Sequence, residues 1–420
     1  MHRLLAACLA ASACAGIAQA QELPPVEAGL PLTLDLALEM AGASSPSLDA
    51  ASADVRATDA GRRMASLRPN PSVTVEVENV AGSGPYRRTD SLEATTSLTL
   101  PIEMGGKRSA RMAVADARSD SAAIRAAIAE ADLRLSVIRA YAEAVAAERR
   151  LVTARDQARI AADALRAAQV RVQAGRASPI EVQRADVAQV NAGAMLARAE
   201  RSVEVSRLSL SRIIGRPVSG RLDTGWFGRI NADHGPIAPI DSTGTLALAA
   251  AEADLAIADA GVRLARSQRI PDLTIGAGAR RLEETGDTAA LFSISVPLPI
   301  FDRGGAALSQ ASADRQRADA QRRMTTLDVD QAILQAQADL ADAATSAATA
   351  SGPALSAAEE AARIARIGYR EGKFGQLDLL DAERTLAETR AAAIEALLSY
   401  HIAQAQLERL TARAPAQQGE

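Results

Sequence analysis

Three patterns recur in the same order at an offset of roughly 200 residues, so the chain is an internal duplication. Arg68-Pro69-Asn70-Pro71-Ser72-Val73-Thr74-Val75 is answered by Arg269-Ile270-Pro271-Asp272-Leu273-Thr274-Ile275. Leu100-Pro101-Ile102 followed by Gly105-Gly106 is answered by Leu298-Pro299-Ile300 followed by Gly304-Gly305. Gly175-Arg176-Ala177-Ser178-Pro179-Ile180-Glu181-Val182 is answered by Gly372-Lys373-Phe374-Gly375-Gln376-Leu377-Asp378-Leu379. The matches organise the chain into a first repeat over 21–215, a linker or equatorial insertion over 216–244, a second repeat over 245–412 and a polar C-terminal tail over 413–420. The insertion is rich in Gly, Pro and Asp and holds the only tryptophan, Trp226.

Residues 1–20 read as a signal peptide. A short basic start at His2 and Arg3 leads into an apolar stretch from Leu4 to Ile17, closed by the small-x-small pattern Ala18-Gln19-Ala20. Both cysteines, Cys8 and Cys14, lie inside this segment, so cleavage after Ala20 would leave a chain without disulfides or thiolate metal sites. Lipidation at one of these cysteines is the alternative, and the sequence leaves it open. No later run is apolar and long enough for a helical span. The nearest, Ala343 to Ala358, is an Ala/Ser/Thr stretch broken by Gly352-Pro353, so any membrane passage has to use strands.

Within each unit the order is helix, strand, strand, then two long helices. The helices follow a heptad: Val137, Ala140, Ala144, Ala147, Leu151, Ala154, Ala158, Ala161, Leu165, Ala168 and Val172 alternate in steps of three and four. The last helix continues the rhythm through Leu379, Ala382, Leu386, Thr389, Ala393, Ala396, Tyr400, Ala403, Leu407 and Leu410. Aromatic residues are 2% of a chain that is 48% hydrophobic, so alanine dominates these seams and lets helix backbones approach closely. A helix from about Gly106 to Val172 would be on the order of 100 Å long, too long for a compact domain.

Val73, Val75 and Val77 alternate with Thr74, Glu76 and Glu78, the period-two pattern of a strand with one apolar face. Leu92, Ala94, Thr96, Leu98 and Leu100 repeat it after a turn around Gly82-Ser83-Gly84-Pro85. The second unit supplies Leu273, Ile275, Ala277 and Ala279, then Phe292, Ile294 and Val296, around Gly286. Four such strands cannot close a membrane barrel, for which about eight is the lower limit. An open edge in hydrocarbon would strand backbone donors and acceptors, so other copies must complete the wall. Only Tyr86, Phe292 and Phe301 lie near the strands to form an aromatic girdle.

The paired Arg/Pro strand starts, the Leu-Pro-Ile…Gly-Gly return and Tyr369-Arg370-Glu371-Gly372…Leu377-Asp378-Leu379-Leu380-Asp381-Ala382 resemble the TolC-type outer-membrane efflux channels, over nearly the whole mature length. Arg68-Pro69-Asn70-Pro71, Val77-Glu78-Asn79 and Glu103-Met104-Gly105-Gly106-Lys107-Arg108 further resemble the heavy-metal, CzcC-like branch. The resemblance implies a mainly α fold with a small β part: a homotrimer whose twelve-stranded outer-membrane barrel continues into a periplasmic α-helical barrel. It implies a passive exit duct for cobalt-, zinc- or cadmium-type cations, partnered by a periplasmic adaptor (membrane fusion) protein, an inner-membrane RND-type transporter and outer-membrane lipid. A drug or type I secretion duct of the same fold is the alternative. A periplasmic adaptor or coiled-coil scaffold without a pore is the competitor from another class, disfavoured by two hairpins and two strand pairs in tandem.

Against 47 basic side chains stand 51 acidic ones, which gives no basic face for nucleic acid. No enzyme constellation is present, and no cofactor or resident metal is expected. Gly105-Gly106-Lys107-Arg108 lacks the phosphate-loop frame, and His2 would leave with the leader, so His234 and His401 remain, far apart and without cysteine partners. Gly175 and Gly372 sit where the long helices reverse. Ser178-Pro179-Ile180-Glu181 spells a capping box with proline at the first helical position, so Glu181 reads first as a capping acid. Asp378 holds the equivalent third position, and Asp381 lies one turn on, on the same face. The resemblance adds Asp378 and Asp381 as carboxylates of the periplasmic aperture and Tyr369 as a gate-linking tyrosine, and Glu181, the corresponding acid of the first tip, is a further aperture candidate. Phe374 falls where better-known members carry a basic partner. The tips bearing Gly175, Ser178, Gly372 and Phe374 would contact the adaptor.

Overall fold

A computed structural model describes residues 31–231 and 241–415. The expected signal peptide over 1–20, His234 and the last five residues of the tail lie outside these. The first unit runs α1 (Leu34–Ser44), α2 (Pro46–Ser66), β1 (Ser72–Glu78), β2 (Glu93–Ile102), α3 (Lys107–Gln173) and α4 (Pro179–Ile214). The second runs α5 (Leu246–Gln268), β3 (Leu273–Leu282), β4 (Thr288–Ser295), α6 (Gly305–Ser351), α7 (Pro353–Arg370) and α8 (Gln376–Thr411).

The strands join in one antiparallel sheet in the order β1-β2-β3-β4, with the two units meeting at β2 and β3. Val73 faces Leu98, Leu98 faces Ala277 and Ala277 faces Phe292, so the apolar positions of all four strands fall on one side. That side is bare: Val73 is 68% exposed, Ile294 77% and Phe292 87%. The opposite side is polar. Arg280 donates to Thr95 Oγ1 at 3.0 Å and to Glu93 at 2.7 Å, and lies 3.3 Å from Glu78. β1 and β4 each leave an edge without a partner strand among the described residues.

At 67 residues, α3 is about 100 Å long at the standard rise. Its seam residues from Val137 to Val172 are all buried or half-buried, as are those of α8 from Leu379 to Leu410. The long helices of a unit differ in length. α4 and α8 have 36 residues each, and α3 is covered along its length by α2 near the sheet and α4 near the reversal. In the second unit the long helix is also divided. Gly352 stands at φ −102° and ψ −106°, and Pro353 supplies no amide, so α6 ends and α7 begins there.

The bulky core sits midway along the helices. Val137 to Ala146 of α3 meet Leu210 and Ile214 of α4, Leu340 of α6 and Ile394 to Ala403 of α8. The described part of the insertion closes this level rather than hanging free of it. Leu222 pairs with Leu32 in a two-residue parallel bridge, and Phe227 is fully buried. Trp226 stacks on His401 at 4.0 Å, and the Tyr141 hydroxyl lies 2.7 Å from the Leu32 carbonyl and 3.0 Å from that of Asp223.

Candidate functional site

Farthest from the sheet, both helical hairpins reverse through the same backbone device. Gly175 has φ 71° and Gly372 φ 73°, the left-handed region in which a side chain is strained. The Arg176 amide returns to the Arg171 carbonyl at 2.8 Å, and the Lys373 amide to that of Gly368 at 2.8 Å. With the bonds Gly175 N to Val172 O and Gly372 N to Tyr369 O, which close a shorter span of chain, each helix ends in a Schellman-type closure. Two turns aligned by sequence thus share one geometry.

The residues that follow behave differently in the two tips. The Ser178–Glu181 capping box does not form. The Ser178 hydroxyl makes no cap bond, and the Glu181 amide is taken at 2.9 Å by the carbonyl of Ser178 itself. The Glu181 carboxylate turns inward instead, with Oε2 buried and without a donor among the described residues. In the second tip the acid does cap: Asp378 Oδ2 accepts from the Gly375 amide at 2.9 Å. Asp378 and Asp381 are both exposed, and Asp381 pairs with Arg384 at 2.8 Å along its own helix.

Two residues that the sequence reading did not single out tie the tips together. Gln376, 5% exposed, donates its side-chain amide to the Glu181 carbonyl at 3.0 Å, so the first turns of α4 and α8 touch. The Arg171 guanidinium lies 5.0 Å from the ring centre of Tyr369, whose hydroxyl is buried and unbonded among the described residues. The cation beside Tyr369 therefore comes from α3 and not from position 374. Phe374 tucks its ring against Gly368, where an added Cβ would sit 2.1 Å from Phe374 Cδ2. Only the repeat pairing of the tips could have pointed to Gln376, as the polar residue opposite Pro179, and no pattern marks Arg171.

Behind the tips, ion pairs lock α7 and α8 to each other and to α3. Glu383 is 3% exposed and is held by Arg366, whose Nη2 donates to Oε2 at 2.8 Å. That hydrogen bond raises the Arg366 pKa above its ordinary value. Arg390 donates to Glu359 of α7 at 3.0 Å and lies 3.8 Å from Asp156 of α3. None of these groups shapes a catalytic pocket, and no cluster of His, Cys, Asp or Glu suited to a metal occurs among the described residues.

A two-faced strand wall continued by duplicated alanine-seamed hairpins is the architecture of an outer-membrane conduit reaching into the periplasm. The chain belongs to the outer membrane efflux protein family, whose profile matches residues 37–216 and 244–413. It is 33% identical over 395 residues to the cobalt-zinc-cadmium resistance protein CzcC of Cupriavidus metallidurans, covering 93% of this chain and 92% of that one. It is 28% identical over 310 residues to the nickel-cobalt-cadmium resistance protein NccC of Alcaligenes xylosoxydans xylosoxydans, covering 72% and 68%. The fold is shared with a crystal structure of CusC at a TM-score of 0.75 and 16% identity, covering 90% of this chain and 92% of that one. The family is one of efflux channels, and its place is the outer membrane.

Proposed function

We propose that the chain is one protomer of a homotrimeric exit duct for heavy-metal cations, working as the outer-membrane part of a tripartite pump. The observation that carries this reading is the four-stranded sheet with an apolar face and two open edges. In hydrocarbon an unpaired edge costs several kcal/mol per stranded group, and four strands fall short of the roughly eight that a closed barrel needs. Three copies joining β4 of one to β1 of the next close a wall of twelve strands and bring the tips to one axis. Asp378 and Asp381 of three chains then ring the opening with six carboxylates, a field that admits cations and repels anions. A duct with no metal-holding cluster among its described residues suits rapid release of its cargo. The cargo class follows from the metal-resistance names of both relatives. The energy source is an RND-type inner-membrane transporter, and a periplasmic adaptor seats on the tips near Gly175 and Gly372. The duct performs no chemistry of its own and, on this reading, has its leader removed on export.

The test is conductance of the purified, full-length protein in planar bilayers. Cation selectivity in the wild type, lost in Asp378→Asn/Asp381→Asn, is expected. Unchanged reversal potentials would remove the carboxylate ring, and a detergent-free soluble monomer would remove the duct. Metal tolerance of a deletion strain, compared with its drug tolerance, separates cation cargo from drug or peptide cargo.

A further inference from the structure

The periplasm-facing end of the sheet carries a charge pattern that neither the conduit nor the tips require. β1 begins, β2 ends, β3 begins and β4 ends at this level, as the pairings Ser72 with Thr99, Leu273 with Ile102 and Thr274 with Ser295 show. The segments that flank it, 62–71, 103–111, 266–272 and 296–304, hold nine basic side chains against three acidic ones. Each acid is already engaged: Glu103 by Arg111, Asp272 by Lys107 at 2.7 Å, and Asp302 by the Gly304 amide at 2.8 Å. Arg63, Arg68, Arg108, Arg269 and Arg303 are exposed, and no described carboxylate pairs with them. The loops at the opposite end, 79–92 and 283–287, show the reverse balance, four acids to two arginines. Among the arginines stand exposed apolar side chains: Leu67 at 64%, Leu298 at 76% and Phe301 at 100%.

We propose that this basic collar binds the anionic phospholipid headgroups of the inner, periplasm-facing leaflet of the outer membrane. The inference rests on the membrane-barrel reading given above. Apolar groups reach into the acyl boundary while guanidinium groups meet phosphate at the headgroup level, where bidentate hydrogen bonding favours arginine. The collar thereby fixes the depth and tilt of the sheet, an anchoring role for which the chain has few girdle aromatics.

Full-length protein in detergent is offered equimolar phosphatidylglycerol and phosphatidylethanolamine, with lipopolysaccharide as a third competitor, and retained lipid is read by native mass spectrometry. Phosphatidylglycerol enrichment of at least about fivefold is expected, since even one basic residue near an anionic surface is worth a factor of about five. It should collapse in Arg63→Gln/Arg68→Gln/Arg303→Gln, three positions whose side chains hold no described partner. A wild-type measurement in rising KCl gives the same answer without any variant, because headgroup preference should fade with salt. Equal retention of the two phospholipids, persistence of enrichment in the triple variant, salt-insensitive enrichment, or preference for lipopolysaccharide would each overturn the proposal. Insertion into vesicles without headgroup preference overturns the collar alone. Failure to insert into any vesicle overturns the channel reading along with it.

Discussion

The side-chain amide of Gln376 donates to the main-chain carbonyl of Glu181 at 3.0 Å, joining the first turns of α8 and α4 across 195 residues of sequence. The bond is a direct polar link between the two reversal tips, and it ties the second hairpin to the first where an aperture would have to widen. Gln376→Ala should lower thermal stability by about 1 kcal/mol, the net worth of such a bond, and raise the resting conductance in bilayers. Unchanged melting and unchanged conductance together would show that the tips are coupled elsewhere.

Arg366 and Glu383 make a lopsided pair. The Glu383 side chain is 5% exposed and that of Arg366 41%. Arg366→Ala should therefore cost about 3 kcal/mol, because it strands a carboxylate among apolar neighbours. Arg366→Met/Glu383→Leu should recover most of the loss, since the isolated charge disappears with its partner. A denaturant-melt comparison of the two variants decides the matter. Equal losses in both would mean that the pair is a net contributor.

At Tyr369 the ring and the hydroxyl have separable roles. The hydroxyl has no partner among the described residues, while the ring lies beneath the Arg171 guanidinium. Tyr369→Phe should change stability by less than about 0.5 kcal/mol, and Arg171→Gln should cost about 1 kcal/mol through the lost cation–π contact. A larger effect from Tyr369→Phe would place a bound partner on that oxygen in the assembled protein.

His401 gives the middle of the molecule a pH dependence. Burial lowers its pKa below the ordinary 6.5, helped by the nearby Arg149 charge and opposed by the hydrogen bond with the Phe227 carbonyl. In the window between the lowered folded value and about 6.5, the unfolded chain binds a proton that the folded chain does not. Stability should thus be flat above that window and fall as the pH drops through it. Melting temperature measured from pH 8 to 5 should show this decline in the wild type and a flatter profile in His401→Gln. A profile identical in both would exclude His401 as the titrating group.

The duplication, the alanine seams and the strand alternation were legible because each is a local periodicity repeated many times. A 67-residue helix with an unbroken seam has few other ways to bury its apolar side. The site was legible only in part. Gly175 and Gly372 could be placed from the paired turns, since a reversal at these points favours a residue free of a Cβ. The serine-to-glutamate spacing predicts a capping role for Glu181 from a local signal alone, and that cap does not form. In the fold the Glu181 amide donates to the Ser178 carbonyl and the Glu181 carbonyl accepts from Gln376, a partner 195 residues away that local spacing does not reveal. Arg171 and the pairing of Arg366 with Glu383 carry no pattern at all, being single charges among 98 charged side chains.

By itself, then, the order of residues determined the unit that is repeated, the faces of its strands and helices, and the places where the chain turns back. Those properties depend on neighbours within a few residues, where geometry follows from spacing. Which carboxylate caps and which turns inward, which arginine reaches Tyr369, and how the Trp226 segment seals the waist against His401 were decided only when distant helices met. Such choices rest on the difference between desolvating a polar group and pairing it, and that balance exists only once the partners are in place.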